Sequence, residues 1–238
     1  MTGEYSTPEF RERFTELARE AAGNSDLIIT VSQFTATQVH HLLNVDWSRL
    51  RVVHHGVRLP SMRSNTSREP VVLHVGAIQK RKNIARLIEA FRALPQQWRL
   101  ILAGSAGYGS EEMLSGAGER VQVTGYVTDE QLAQLYQRAS IFAFPSLDEG
   151  FGMPVLEAMA HGIPVIASNS SALPEVCGDS ALLVDPARTD QIAAELLRLA
   201  TEPNLRKDFS TRGLARASQF TWTAAVEKTW GVYRELLE

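Results

Sequence analysis

The chain has 238 residues, with Lys+Arg 24 against Asp+Glu 27, a formal net charge of −3 and a single cysteine. It is 44% hydrophobic and 21% charged, a globular composition that excludes the disordered and collagen-like classes. The mildly acidic balance argues against a nucleic-acid binder held by phosphate contacts, Cys177 alone cannot close an internal disulfide, and no run approaches the roughly 18 apolar residues of a membrane span.

The polar start, MTGEYSTPEFRERF, does not read as a secretory signal, so a cytoplasmic location is expected. Thr7 as cap, Pro8 at the first helical position and apolar Phe10, Phe14, Leu17 and Ala18 predict an opening helix. A buried strand is expected over 27–31, a helix from its cap Ser32 to about Leu43, and a strand over 51–54 closed by Gly56. Residues 58–70 lose periodicity in a run of Arg, Ser, Asn, Thr and Pro, the composition of a linker.

After Pro70 the alternation becomes regular. Strands are expected at 71–75, 98–103, 121–123, 141–144, 163–167 and 181–184, and helices near 83–94, 111–114, 129–138, 153–161 and 189–200. Near-continuous apolar runs such as Val71-Val-Leu-His-Val75 point to a parallel sheet covered on both faces. The fold class is therefore α/β, a doubly wound parallel sheet, which binds ligands outside the carboxyl ends of its strands. Residues 205–238 read as two helices broken at Gln219-Phe-Thr-Trp222.

The most informative stretch runs strand, turn, helix from Phe142 to Gly162. Pro154 suits a first helical turn, which leaves the amides around Gly150, Phe151, Gly152 and Met153 at a helix N-terminus, a place suited to a phosphate. Without a ligand the same residues make an ordinary glycine turn. Glu149 and Glu157 would repel a phosphate but suit vicinal sugar hydroxyls. A surface carboxylate is the plain alternative for Glu157, although its neighbours are apolar and a buried carboxylate needs partners. Gly76-Ala-Ile-Gln-Lys-Arg-Lys-Asn83 occupies the equivalent strand–helix turn of another unit, from which Arg81 and Lys82 could reach a pyrophosphate or simply be solvated. The glycine-rich 103–109 reads equally as a ligand loop or a plain connection. His54 and His55 suit packing or solvation, Cys177 a core position, and His161 the dipole at a helix C-terminus.

Glu149-Gly-Phe-Gly-Met-Pro-Val-Leu-Glu157 resembles the E-x7-E signature of family 4 retaining glycosyltransferases of the two-domain GT-B type. Gly76 through Lys82-Asn83 is similar to that family's phosphate loop, and Leu173-Pro-Glu-Val with Ala181-Leu-Leu-Val-Asp-Pro186 to its later strand–helix units. The resemblance covers nearly all of 26–238. It implies that Glu149 touches the donor sugar, that the amides after it hold sugar and diphosphate, that Glu157 binds the ribose, and that Arg81 and Lys82 neutralise phosphates. Many relatives carry Arg after the glycine matching Gly76, where this chain has Ala77.

The organisation implied is 1–57 as the end of an N-terminal acceptor domain, 58–70 as linker, 71–218 as donor domain and 219–238 as a helix crossing back. On that comparison the chain is expected to bind donor but be incomplete for turnover, and to self-associate through faces the absent part would cover. The expected reaction moves a hexose, with mannose favoured, from a nucleotide sugar such as GDP-mannose or UDP-hexose to a glycan or lipid-linked acceptor. The missing part would mediate any peripheral membrane association. The sequence contains no D-x-D motif, so no cofactor or metal is expected. A sugar epimerase or phosphorylase is less favoured. A non-catalytic nucleotide-sugar module working with a separate acceptor-binding partner is the alternative.

Overall fold

The structure is a computed structural model that describes residues 7–60, 68–107 and 109–237. Helix α1 (Pro8–Gly23) begins as its sequence dictates, the Thr7 hydroxyl accepting the Phe10 amide. Strand β1 (Ile28–Thr30) pairs in parallel with β2 (Leu50–Val52), and α2 (Gln33–Leu43) connects them. The expectation of a buried β1 is corrected: Ile29 is 37% exposed, because a two-stranded sheet cannot cover both of its faces. Most of the expected linker, 61–67, and Tyr108 of the glycine-rich loop lie outside the described residues.

The main sheet then builds from β3 (Glu69–Val75), α3 (Ile84–Phe91), β4 (Arg99–Ala103), α4 (Ser110–Leu114), β5 (Val121–Gly125), α5 (Asp129–Arg138) and β6 (Ala139–Phe144). It continues with α6 (Met153–Ala160), β7 (Val165–Ser168), α7 (Leu173–Cys177), β8 (Leu182–Val184) and α8 (Thr189–Thr201). The chain ends in α9 (Pro203–Ala217) and α10 (Trp222–Glu235), broken at 218–221.

All pairings are parallel, in the order β5-β4-β3-β6-β7-β8. The sheet starts at its centre, grows outward through β4 and β5, then returns to lay β6 against β3. That reversal leaves a crevice between the carboxyl ends of β3 and β6, where doubly wound sheets take their ligands.

Two cores seal the sheet. Phe142, Phe144, Leu156 and Met159 fill one face, and Ile84, Leu87, Phe91 and Leu196 the other. Strand β6 is buried along its whole length, which is why it reads as an apolar run broken only by Ser140, whose hydroxyl donates to the Glu69 carbonyl. Arg68 reaches into this scaffold and donates to the carbonyls of Tyr136, Ala139 and His161, tying the ends of α5 and α6 together. Helix α10 keeps Ala225 and Val232 buried but leaves Trp222, Val226, Trp230 and Tyr233 exposed. Among the described residues no helix is long and apolar enough to cross a membrane.

Candidate functional site

The site forms where the β3 and β6 turns meet. Beyond Gly76, a short 3-10 turn over Lys80–Lys82 is closed by Asn83, a non-glycine residue at φ 59°. Asn83 holds that conformation through three bonds: Nδ2 donates to the carbonyls of Pro145 (3.0 Å) and Pro186 (2.7 Å), while Oδ1 accepts from Arg86 (3.0 Å). Three loops at one end of the sheet are thereby pinned together. At Gly104 an added Cβ would lie 2.1 Å from the Gly76 carbonyl oxygen, so the loop after β4 also packs directly on the β3 turn.

Lys82 donates to Glu149 Oε1 at 2.7 Å, and the Arg81 guanidinium meets the same oxygen at 2.9 Å. Arg81 also donates to the Asp148 carbonyl (2.5 Å), and its own carbonyl accepts the Leu147 amide (2.8 Å). Burial would push the Glu149 carboxyl up, but the charges of Lys82 and Arg81 overcome it and hold the group below its ordinary value. Burial lowers the Lys82 ammonium, with Glu149 opposing that shift. The three charges sum to one net positive in a largely desolvated place. Among the described residues Glu149 Oε2 accepts no hydrogen bond, so one carboxylate oxygen holds both cations and the other is open.

Glu157, one turn into α6, shows the same division. Its Oε2 accepts the Tyr136 hydroxyl at 2.8 Å, and among the described residues Oε1 has no protein donor. Burial, reinforced by the adjacent carboxylate, raises the Tyr136 phenol well above its ordinary value, so it stays a proton donor. The partner that a half-buried Glu157 needs is therefore a tyrosine from α5, a contact that no local pattern in the sequence marks.

Between the two acids the chain turns sharply. Gly152, at φ 105°, begins α6, and Leu173 Cδ2 sits 2.6 Å from where a Cβ would be. Only glycine fits there. Among the described residues the amides of Gly150, Phe151, Gly152 and Met153 donate to no protein acceptor, as expected of a helix N-terminus aimed at a ligand. The Phe151 side chain points away from this cluster and packs against His54, His55 and Phe220, so only its backbone is placed to contact a donor.

Among the described residues two buried polar atoms have no partner, His74 Nε2 and Ser146 Oγ. His74 Nδ1 is 2.9 Å from the Ala143 carbonyl, which only accepts, so Nδ1 carries the proton and Nε2 the lone pair. Burial drives the His74 pKa down to about 4.

His54 is more than a packing residue, since Nε2 lies 2.7 Å from Glu175 Oε1. Glu175 also accepts the amides of Gln33 (2.9 Å) and Phe34 (3.2 Å) at the start of α2. No spacing in the sequence marked these contacts, which join residues 121 to 142 positions apart. His161 stands at the C-terminal end of α6, as expected from the sequence. Its Nδ1 lies 2.8 Å from the Glu157 carbonyl, and burial lowers its pKa and so favours the neutral ring.

A family profile described as glycosyl transferases group 1 matches residues 61–216. The O-antigen chain mannosyltransferase B of Escherichia coli is 35% identical over 96% of this chain and 66% of its own length. Among solved structures, sucrose-phosphate synthase from Thermosynechococcus elongatus is 26% identical with a TM-score of 0.82, over 98% of this chain and 64% of that one. Anabaena HepE in complex with UDP-glucose is 21% identical and shares the fold, with a TM-score of 0.82 over 97% of this chain and 71% of that one. The chain thus spans slightly less than two thirds of the mannosyltransferase and of the synthase.

Proposed function

The chain belongs to the group 1 glycosyl transferases, and from that premise we propose that it is the donor-binding part of a retaining, family 4-like hexosyltransferase. The donor is a nucleotide-diphosphate sugar, with GDP-mannose first because the 35% identical relative is described as a mannosyltransferase, and the acceptor is a glycan or lipid-linked sugar. The observation that carries this reading is the paired division of labour in the two acids. Among the described residues Glu149 and Glu157 each give one oxygen to protein donors and leave the other without one, and in the chain they flank the helix N-terminal amides of 150–153, which donate to no protein acceptor.

In this reading the diphosphate lies against the amides of 150–153, with Arg81 and Lys82 on its other side. The open oxygen of Glu149 accepts hexose hydroxyls, and that of Glu157 accepts the ribose hydroxyls. As the bond from the sugar carbon to the diphosphate breaks, its electron pair passes to the leaving phosphate, whose charge the fixed cations and amides stabilise. The acceptor oxygen attacks on the same face through an oxocarbenium-like state, and its proton goes to the departing phosphate oxygen. Fixed cations do the work that a divalent ion does elsewhere, so the mechanism is metal-independent.

The test is calorimetric titration of the chain with UDP, GDP and ADP and their sugars, with and without EDTA. One base should bind in the micromolar range, and EDTA should leave its affinity unchanged. Binding by none of them would refute the reading, and binding lost with EDTA would refute metal independence. The alternative, a non-catalytic nucleotide-sugar module, would show the same affinity but no slow hydrolysis of the bound donor.

A further inference from the structure

We propose that Ser32 and Thr35, on the first turn of α2, are positioning residues for the donor loop, their two hydroxyls fixing the Gly150 carbonyl and with it the amides that face the diphosphate. The proposal rests on the donor-binding reading above.

Ser32 is fully buried. Its Oγ lies 2.7 Å from the Gly150 carbonyl and accepts the Thr35 amide at 3.0 Å, so it caps α2 and grips the loop at once. Thr35 Oγ1 reaches the same carbonyl at 3.0 Å. A carbonyl oxygen has two lone pairs, and the two hydroxyls occupy both. A capping serine alone would be a stability feature. The threonine is different, because it caps nothing and its hydroxyl donates to a residue 115 positions away.

The neighbouring peptides are held in the same sense. The Glu149 carbonyl accepts the Ala172 amide (3.2 Å), the Glu149 amide donates to Ser171 Oγ (3.0 Å), and the Asp148 carbonyl accepts Arg81. Carbonyls 148 to 150 are thus bonded to the protein, while the amides of 150–153 have no acceptor among the described residues. Glu175 takes the Gln33 and Phe34 amides, so the start of α2 is held by that carboxylate as well as by the Gly150 carbonyl. A carboxylate there also suits the positive end of the helix dipole. Donors aimed at developing charge work only if their orientation is set before the substrate arrives. The geometry assigns that task for this loop to residues of a different unit, which links the α2 region to the diphosphate site.

The experiment uses Thr35→Val, which keeps shape and loses the hydroxyl, Thr35→Ser, which restores it, and the double variant Ser32→Ala/Thr35→Val. Binding of the nucleoside diphosphate that the wild-type chain prefers among GDP, UDP and ADP is measured by calorimetry. Binding of the matching nucleoside is measured by NMR titration, and melting temperature is recorded for each variant. Thr35→Val should weaken the diphosphate about 3- to 10-fold, leave nucleoside affinity unchanged and melt near wild type, with Thr35→Ser close to wild type throughout. The double variant should lose more. Should it fail to fold, Thr35→Val decides alone. Unchanged diphosphate affinity in folded Thr35→Val, or equal losses for nucleoside and diphosphate, would overturn the positioning role only. A wild-type chain that binds no nucleoside diphosphate would overturn the donor-binding reading itself, and this proposal with it.

Discussion

Replacing Lys82 with methionine probes the centre of the site. The Lys82 and Glu149 side chains are only 9% and 10% exposed, and methionine keeps most of the side chain's length while removing the ammonium, which also lies 4.4 Å from the Phe144 ring centroid. Breaking a buried pair costs about 3–5 kcal/mol when the survivor has no other partner. Glu149 retains Arg81 at 2.9 Å, and removing Lys82 also removes its own desolvation, so we expect a loss of about 2 kcal/mol. In a chain of this size that lowers Tm by about 4–8 °C.

The loss should depend on pH in a defined direction. In the wild type burial raises the Glu149 carboxyl, but Lys82 and Arg81 bring it below its ordinary value of 4.5. The group therefore stabilises the fold above that value, and the contribution fades as pH falls through the lower folded value. With only Arg81 opposing burial, the carboxyl shifts upward and contributes less at neutral pH. The gap between wild type and variant should thus be widest at pH 7 and shrink below about pH 4.5. Scanning calorimetry at pH 7 and pH 4 reads this directly, and calorimetric titration should show nucleoside diphosphate affinity falling far more than nucleoside affinity. A gap independent of pH, or a Tm unchanged at pH 7, would show that Lys82 does not hold the Glu149 charge.

Changes elsewhere in the chain have equally defined outcomes. Glu157→Gln keeps an acceptor for Tyr136 but loses the charge, and should weaken nucleotide binding about 10- to 150-fold by titration with little change in Tm. Gly104→Ala places a Cβ 2.1 Å from the Gly76 carbonyl and should cost about 2–3 kcal/mol in urea unfolding. A midpoint shift worth less than about 0.5 kcal/mol would mean the two loops are not in that contact. Burial pushes the Cys177 thiol up to about 12, so iodoacetamide should label it only after unfolding, and rapid labelling of the native chain at pH 8 would contradict its burial.

The sequence by itself determined the elements and their chemistry. Apolar runs gave the parallel strands because a strand buried on both faces has no polar side to show, as β6 confirms in every position but Ser140. Pro154 beside Gly152 announced the start of α6, and Thr7 and Ser32 announced other helix starts through caps visible in a few residues. Such signals are local, and local signals survive in one dimension. What only the tertiary structure decided was adjacency. Nothing along the chain says that β6 returns to lie beside β3, yet that order brings Lys82 to Glu149 across 67 residues. The same holds for Tyr136 against Glu157, for Glu175 on the start of α2, and for Ser32 and Thr35 on Gly150. A carboxylate or a hydroxyl carries no mark of its partner in the sequence, because hydrogen bonds between distant residues are set by strand order and loop packing, and these emerge only when the sheet closes.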